Sequence, residues 1–385
     1  MADPIKKVTL KSGAVRYRFV VDIGADPVTG KRQQKTYTYD LKREAIAERS
    51  RILSETAQGT YIRPSKQTLN EHLDEWLPPV VRDLAENTKS SYVGAFRLVR
   101  ERLGHKELQK LTKNDIEQLV TFMLTSGRKR GGPVGSGLSG RSVALTLGRL
   151  TAALESAQLE GKIPRNVAKL VKPPAHTKKP QGTWSKAEVR KFLGTAGKER
   201  LHAAWRMSLY GLRRGEVLGL RWAEDVDLDG KTITINETRV LVEYRVIVKP
   251  PKSDNGLRTL PLDDEMVSAL RALRARQAAE KLAAGPAYVD SGYVVADELG
   301  EPVHPENYSD EFERVLKRAG VPRIVLHGAR HTAISLMEKS GVPISIISKW
   351  AGHFDVKFTY GAYVHAEAED LHEGTAALGK LYKIN

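Results

Sequence analysis

The chain has 385 residues, enough for two or three domains rather than one core. It contains no cysteine, which excludes a disulfide scaffold, a thiolate zinc site and a cysteine nucleophile, and no apolar run approaches the roughly 20 residues of a membrane span. Lys and Arg number 62 against 46 Asp and Glu, a formal charge of +16 that gathers polyanions, of which nucleic acid is the commonest large one.

Residues 1–62 are expected to form a small β-rich unit. Its first segment, MADPIKKVTLKSG, lacks the apolar stretch of a secretory signal. VRYRFVVDIG (15–24) and KRQQKTYTYD (31–40) have the composition of strands around the turn ADPVTG. Arg16, Arg18, Lys31, Arg32 and Lys35 alternate there with apolar or aromatic positions. A short basic sheet can lay a strand surface in a DNA groove; a solvated sheet with no ligand accounts for the same residues. The helical period of 41–59 puts Leu41, Ala45, Ile52 and Leu53 towards the sheet.

Residues 67–172 have the pattern of a compact helical domain, with four segments carrying apolar residues at three- and four-residue steps. Between the third and fourth lies GRKRGGPVGSGLSG (127–140), expected to be a flexible connection whose Arg128, Lys129 and Arg130 touch phosphates. Gly135, Gly137 and Gly140 satisfy G-x-G-x-x-G, but a dinucleotide fingerprint follows an apolar strand and here RKRGGP precedes it. No G-K-[ST] ends the loop, so it is not a Walker loop and nothing calls for nucleotide fuel. A Pro- and Lys-rich linker over 173–183 leads to a larger α+β unit over 184–372, followed by a tail over 373–385. In the larger unit KTITINETRV, EYRVIVKPPK and LRTLPL read as successive strands, with SDNG (253–256) as a tight turn.

Four pieces of this unit carry chemistry. In LYGLRRGEVLGLRW, Arg213 and Arg214 precede Glu216 at helical spacing, a pattern most often found in a surface ion pair. In LHGARHTA, His327 and Arg330 share a helix face suited to an anion, and no H-E-x-x-H motif or carboxylate cluster accompanies them to hold a metal. Lys252 precedes the hairpin turn, where lysines are ordinarily solvated. The fourth piece, AGHFDVKFTYGAYVH, sets Tyr360 and Tyr363 between His353 and His365.

In this order GLRRGE, PPKSDNGLR, HGARHTA, AGH and TYGAYVH resemble the tyrosine recombinase family, the phage-type integrases. The resemblance implies a multidomain, mainly α fold with small β elements: an N-terminal arm-type DNA-binding unit, a helical core-binding domain and a mixed α+β catalytic domain. It implies strand transfer through a phosphotyrosine, with Arg213 and Arg330 on the phosphate oxygens and Lys252 protonating the 5′-oxygen. His327 would assist proton removal and His353 would bond a phosphate oxygen or the nucleophile. The family spacing Thr-x-x-x-Tyr, counted from Thr359, selects Tyr363 as nucleophile and leaves Tyr360 to packing or DNA contact. Glu216 would orient Arg213, and Arg214, which does not directly follow Gly-Leu, would not be the phosphate ligand.

The expected partners are double-stranded DNA at attachment sites, further copies making a homotetramer, and accessory DNA-bending or directionality factors. No cofactor and no metal is expected, because a phosphotyrosine conserves the energy of the phosphodiester. The implied setting is the bacterial cytoplasm, away from membranes. The alternatives are an Xer-like resolvase, a topoisomerase-like nicking and rejoining enzyme, and a non-catalytic DNA-binding regulator. Leu378, Leu381 and Ile384 give the tail an apolar edge that could dock on a neighbouring protomer or pack within its own chain.

Overall fold

The computed structural model describes residues 4–10, 12–25, 32–59, 61–129, 131–175, 182–251 and 254–352, without the side chains of 23–25, 33 and 254. The expectations for Lys31, Arg130, Lys252, His353, Tyr360, Tyr363 and the tail therefore lie outside the described residues. The chain divides into two compact units, residues 1–177 and 178–385. The fold is mainly α with small sheets.

The first unit opens with an antiparallel sheet of β1 (Lys6–Thr9), β2 (Val15–Ala25) and β3 (Arg32–Tyr39) in sequence order, followed by α1 (Lys42–Ala57). Strand alternation puts Phe19 and Val21 on a buried face, where they meet Ala45 and Ile52 of α1. Leu41 and Leu53, expected to face the sheet, are exposed: only Ala45 and Ile52, seven residues apart, keep the buried helix stripe. The register also divides the basic residues. Lys35 pairs with Val21 on the core-facing side and lies over the Tyr37 ring, whereas Arg16 and Arg18 alternate onto the opposite face. Arg32 forms an ion pair with Asp22 at 2.5 Å.

Helices α2 (Leu69–Val81), α3 (Glu86–Leu103), α4 (Lys113–Thr125) and α5 (Gly140–Leu159) correspond to the four periodic segments and bury their own cluster around Leu73, Phe96, Ile116 and Leu150. Reciprocal caps set two starts: Thr68 with Glu71 on α2, and Thr112 with Asp115 on α4. The glycine-rich loop is not the open connection expected. Arg128 N–H donates to Ser136 O at 2.8 Å and Gly135 N–H returns to Arg128 O at 2.9 Å. The Arg128 guanidinium folds inward onto the carbonyls of Gly137 and Gly131 at 3.1 and 2.9 Å. A Cβ on Gly137 would lie 1.8 Å from Leu124 O, so this glycine serves a close backbone approach.

The second unit contains α6 (Lys186–Ala196), α7 (His202–Leu209), α8 (Arg214–Gly219), α9 (Trp222–Asp225), β4 (Val226–Asp227), β5 (Thr232–Ile235), β6 (Thr238–Val242), β7 (Arg245–Lys249), β8 (Arg258–Pro261), α10 (Asp264–Ala284), α11 (Pro305–Ala319), α12 (Leu326–Lys339) and α13 (Ile344–Ala351). KTITINETRV is broken rather than continuous. β5 joins a sheet ordered β4-β5-β8, while β6 and β7 form a separate hairpin inserted between β5 and β8. Glu243 and Tyr244 turn that hairpin with φ of 46° and 68°. Trp184, Phe192, Trp205, Tyr308 and Phe312 stack at the centre of the core.

Candidate active site

The site is assembled at the C-terminal end of α13. Gly352 takes the left-handed conformation (φ 60°) and stops the helix, leaving its last carbonyls without intrahelical donors. Three guanidiniums from distant parts of the chain supply them. Arg258 Nε donates to Trp350 O at 2.7 Å, Arg330 Nη2 donates to Ala351 O, and Arg213 Nη2 donates to Gly352 O at 3.0 Å. Cations at a helix C-terminus also meet the negative end of its dipole.

Each arginine is placed by its own local structure. Arg213 is the N-cap of α8, and Glu216, three residues on, accepts from the Arg213 backbone N–H at 2.9 Å and from Nη1 at 2.7 Å. Arg330 lies on α12 among Gly328 and Ala329, where small side chains let the helix approach closely; its Nη1 donates to Gly211 O at 2.7 Å. Gly211 itself has φ 99° and lies against the Trp350 ring, whose Nε1 donates to Tyr210 O at 2.7 Å. Arg258 begins β8, and its Nη2 donates to Glu216 at 2.9 Å.

The electrostatics follow from burial. Glu216 is 1% exposed, and burial alone would push its pKa up. Arg258 first, then Arg213 and Arg330, outweigh burial and hold it below the usual carboxylate range. His327 keeps an accessible edge, yet the protein around it, then the Arg330 and Arg213 charges, lower its pKa. Its ring meets that of His331 edge-on at 4.7 Å. Burial, then His327 and Arg330, push His331 down to about 4. Among the described residues no group of three or more His, Cys, Asp or Glu could hold a metal, and no helix is long and apolar enough to cross a membrane.

The structure thus brings Arg213, Glu216, His327 and Arg330 together. Arg214 turns away and bonds Ser309 at 2.8 Å. Arg258 belongs to the cluster although its motif had not singled it out. One signal was available: on a strand Arg258 shares a face with Leu260, which is buried.

Residues 185–370 match the phage integrase family. Those residues belong to that family, and the chain is a tyrosine recombinase. It is 28% identical to a XerC-like tyrosine recombinase of Caldanaerobacter subterraneus subsp. tengcongensis, over 97% of this chain and 98% of that one. The fold is similar to that of the Tn1549 transposon integrase in complex with a circular intermediate DNA, with a TM-score of 0.67 and 20% identity over 81% of this chain and 99% of that one. It is also similar to lambda integrase in a tetramer bound to a Holliday junction, at 0.55 and 18% over 94% and 96% of the two chains. As a phage integrase family member the protein is a DNA strand-transferring enzyme, a site-specific recombinase of phage or transposon type.

Proposed function

We propose that this integrase cuts and rejoins duplex DNA through a 3′-phosphotyrosine on Tyr363, exchanging strands between attachment sites to integrate and excise a mobile element. The observation that carries the reading is the charge of the cluster. Two guanidiniums, Arg213 and Arg258, bond one buried carboxylate and a third, Arg330, acts on it through its charge; an incoming phosphodiester neutralises the excess where water screens it poorly.

Arg213, with a side chain 38% exposed, is the guanidinium a phosphate meets first; Arg330, 2% exposed, adds its charge from the interior. Guanidiniums suit this task because they fork onto two oxygens and do not deprotonate. A phenol with a pKa of roughly 10 is almost wholly protonated at neutral pH. The Tyr363 oxygen attacks phosphorus as its proton passes to neutral His327, and the P–O5′ bond breaks as Lys252 protonates the departing oxygen. His353 bonds a phosphate oxygen or Tyr363. Attack by a 5′-hydroxyl of a partner strand reverses the sequence and releases the enzyme.

In this reading residues 1–62 bind arm-type sites and 67–172 bind the core site, joined through 173–183 to the catalytic residues 184–372, with 373–385 as a tail. Arg16, Arg18, Lys31, Arg32, Lys35 and Arg128–Arg130 contribute DNA contacts. The lambda tetramer on a Holliday junction supports assembly as a homotetramer on DNA, with accessory bending or directionality factors. A second reading, Xer-like resolution of repeated sites, is favoured by the XerC-like relative matched from end to end.

The test is covalent capture on a nicked suicide duplex. Tyr363→Phe should bind DNA and form no adduct, whereas Tyr360→Phe should form it; an adduct with Tyr363→Phe overturns the assignment. Sequencing the trapped DNA separates insertion between unlike sites from resolution of like ones.

A further inference from the structure

We propose that Arg258 is a positioning residue for strand cleavage, its guanidinium tying the buried Glu216 carboxylate, and through it Arg213, to the end of α13. The proposal rests on the reading of the active site given above. Arg258 is 7% exposed and each part of its fork has a partner. Nε donates to Trp350 O at 2.7 Å, Nη1 to Gly256 O at 3.1 Å, and Nη2 to Glu216 at 2.9 Å. Glu216 in turn holds Arg213 twice, by backbone and side chain. The packing around this chain of contacts leaves little room: a Cβ on Gly352 would lie 2.7 Å from Asn255 O and 2.9 Å from Arg258 Nη1.

Arg258 is too enclosed to be the group that a phosphate approaches from solvent. Its geometry instead fixes the direction of the accessible arginine. With Arg258 gone, Glu216 keeps Arg213 as its remaining named side-chain partner, and the strand that bears position 258 loses its bond to α13. Arg213 then turns towards the carboxylate rather than being shared between Glu216 and Gly352 O. A displacement of about 1 Å in such a group is enough to lower a rate about a hundredfold. Lysine cannot replace the fork, since one ammonium reaches Glu216 or Trp350 O but does not span both in the guanidinium plane.

The experiment is a cycle of Arg213→Ala, Arg258→Gln and the double variant in the full chain, read as the single-turnover rate of covalent capture on a nicked duplex. Arg258→Gln should slow capture about a hundredfold while the half-saturating DNA concentration changes less than about twofold, because the enclosed Arg258 does not itself hold DNA. The double variant should be no more than about threefold slower than Arg213→Ala, since both changes remove the same positioned group. Arg258→Lys should fall between wild type and Arg258→Gln, and it carries the cycle if Arg258→Gln does not fold. Losses that multiply in the double variant, or a defect confined to DNA affinity, overturn the role of Arg258. Wild-type capture by Arg213→Ala would instead sink the site assignment, and the role of Arg258 with it.

Discussion

Replacing Glu216 with Gln keeps the shape of the side chain and removes its charge. The carboxylate is 1% exposed and its partner Arg258 is 7% exposed, so the change leaves a buried guanidinium without its counter-charge. Breaking a buried pair from one side costs about 3–5 kcal/mol. The amide oxygen of Gln still accepts one hydrogen bond, which puts the expectation at the lower end, about 3 kcal/mol. Arg213 adds little to this figure because its side chain is 38% exposed and solvent screens it. For a unit of this size each kcal/mol moves the melting midpoint by about 2–4 °C, so a fall of about 6–12 °C is expected. Tryptophan fluorescence reads mainly this unit, since four of the five tryptophans, Trp184, Trp205, Trp222 and Trp350, lie in it and Trp76 alone lies in the first unit. Because Glu216 titrates below 4.5 in the folded protein, its contribution is complete above that pH and fades as pH falls through the lower folded value. The gap between wild type and variant should therefore narrow in acid. Changing both partners, Glu216→Leu with Arg258→Met, should recover part of the loss. A fall under about 2 °C, or a double variant that loses the sum of both single changes, refutes the reasoning.

The other outcomes concern pH and the hairpin. His331, held at about 4 against 6.5 when unfolded, should make the second unit lose stability as pH falls from 6.5 towards 4, and His331→Gln should flatten that limb in melts at pH 7.5, 5.5 and 4.5. His327, lowered by burial and by Arg330 and Arg213, should stay neutral below the usual histidine range. The capture rate should accordingly hold to below pH 6.5 before falling, with His327→Gln removing that fall along with most of the rate. At the β6–β7 turn, Glu243→Asn with Tyr244→Gly places residues that accept positive φ, and should stabilise the unit by about 1 kcal/mol in denaturant titration.

Much of this was legible in the sequence because the signals are local. The helices of the first unit were visible in their apolar period, and Thr68 with Glu71 is a cap that can be read directly. The family motifs were legible for a different reason: G-L-R and H-x-x-R are fixed by spacing within single elements. What stayed hidden was long-range. Nothing in KTITINETRV marks the point where β5 ends and β6 departs for another sheet, since both halves have the same alternation. Arg258 was not singled out because its partners, Glu216 and Trp350, are 42 and 92 residues away. A basic glycine-rich loop likewise does not reveal that the Arg128 guanidinium bonds the carbonyls of Gly137 and Gly131 within it.

The clasp on α13 has a consequence for synthesis. Its arginines come from α8's cap, β8 and α12, and the carbonyls they hold, at positions 350–352, are made after all three. A growing chain still on the ribosome has no anchor for those guanidiniums until nearly the whole second unit has emerged and folded. On the proposed reading of the site, a copy that stops short of those carbonyls lacks the arginine clasp and should not cleave DNA.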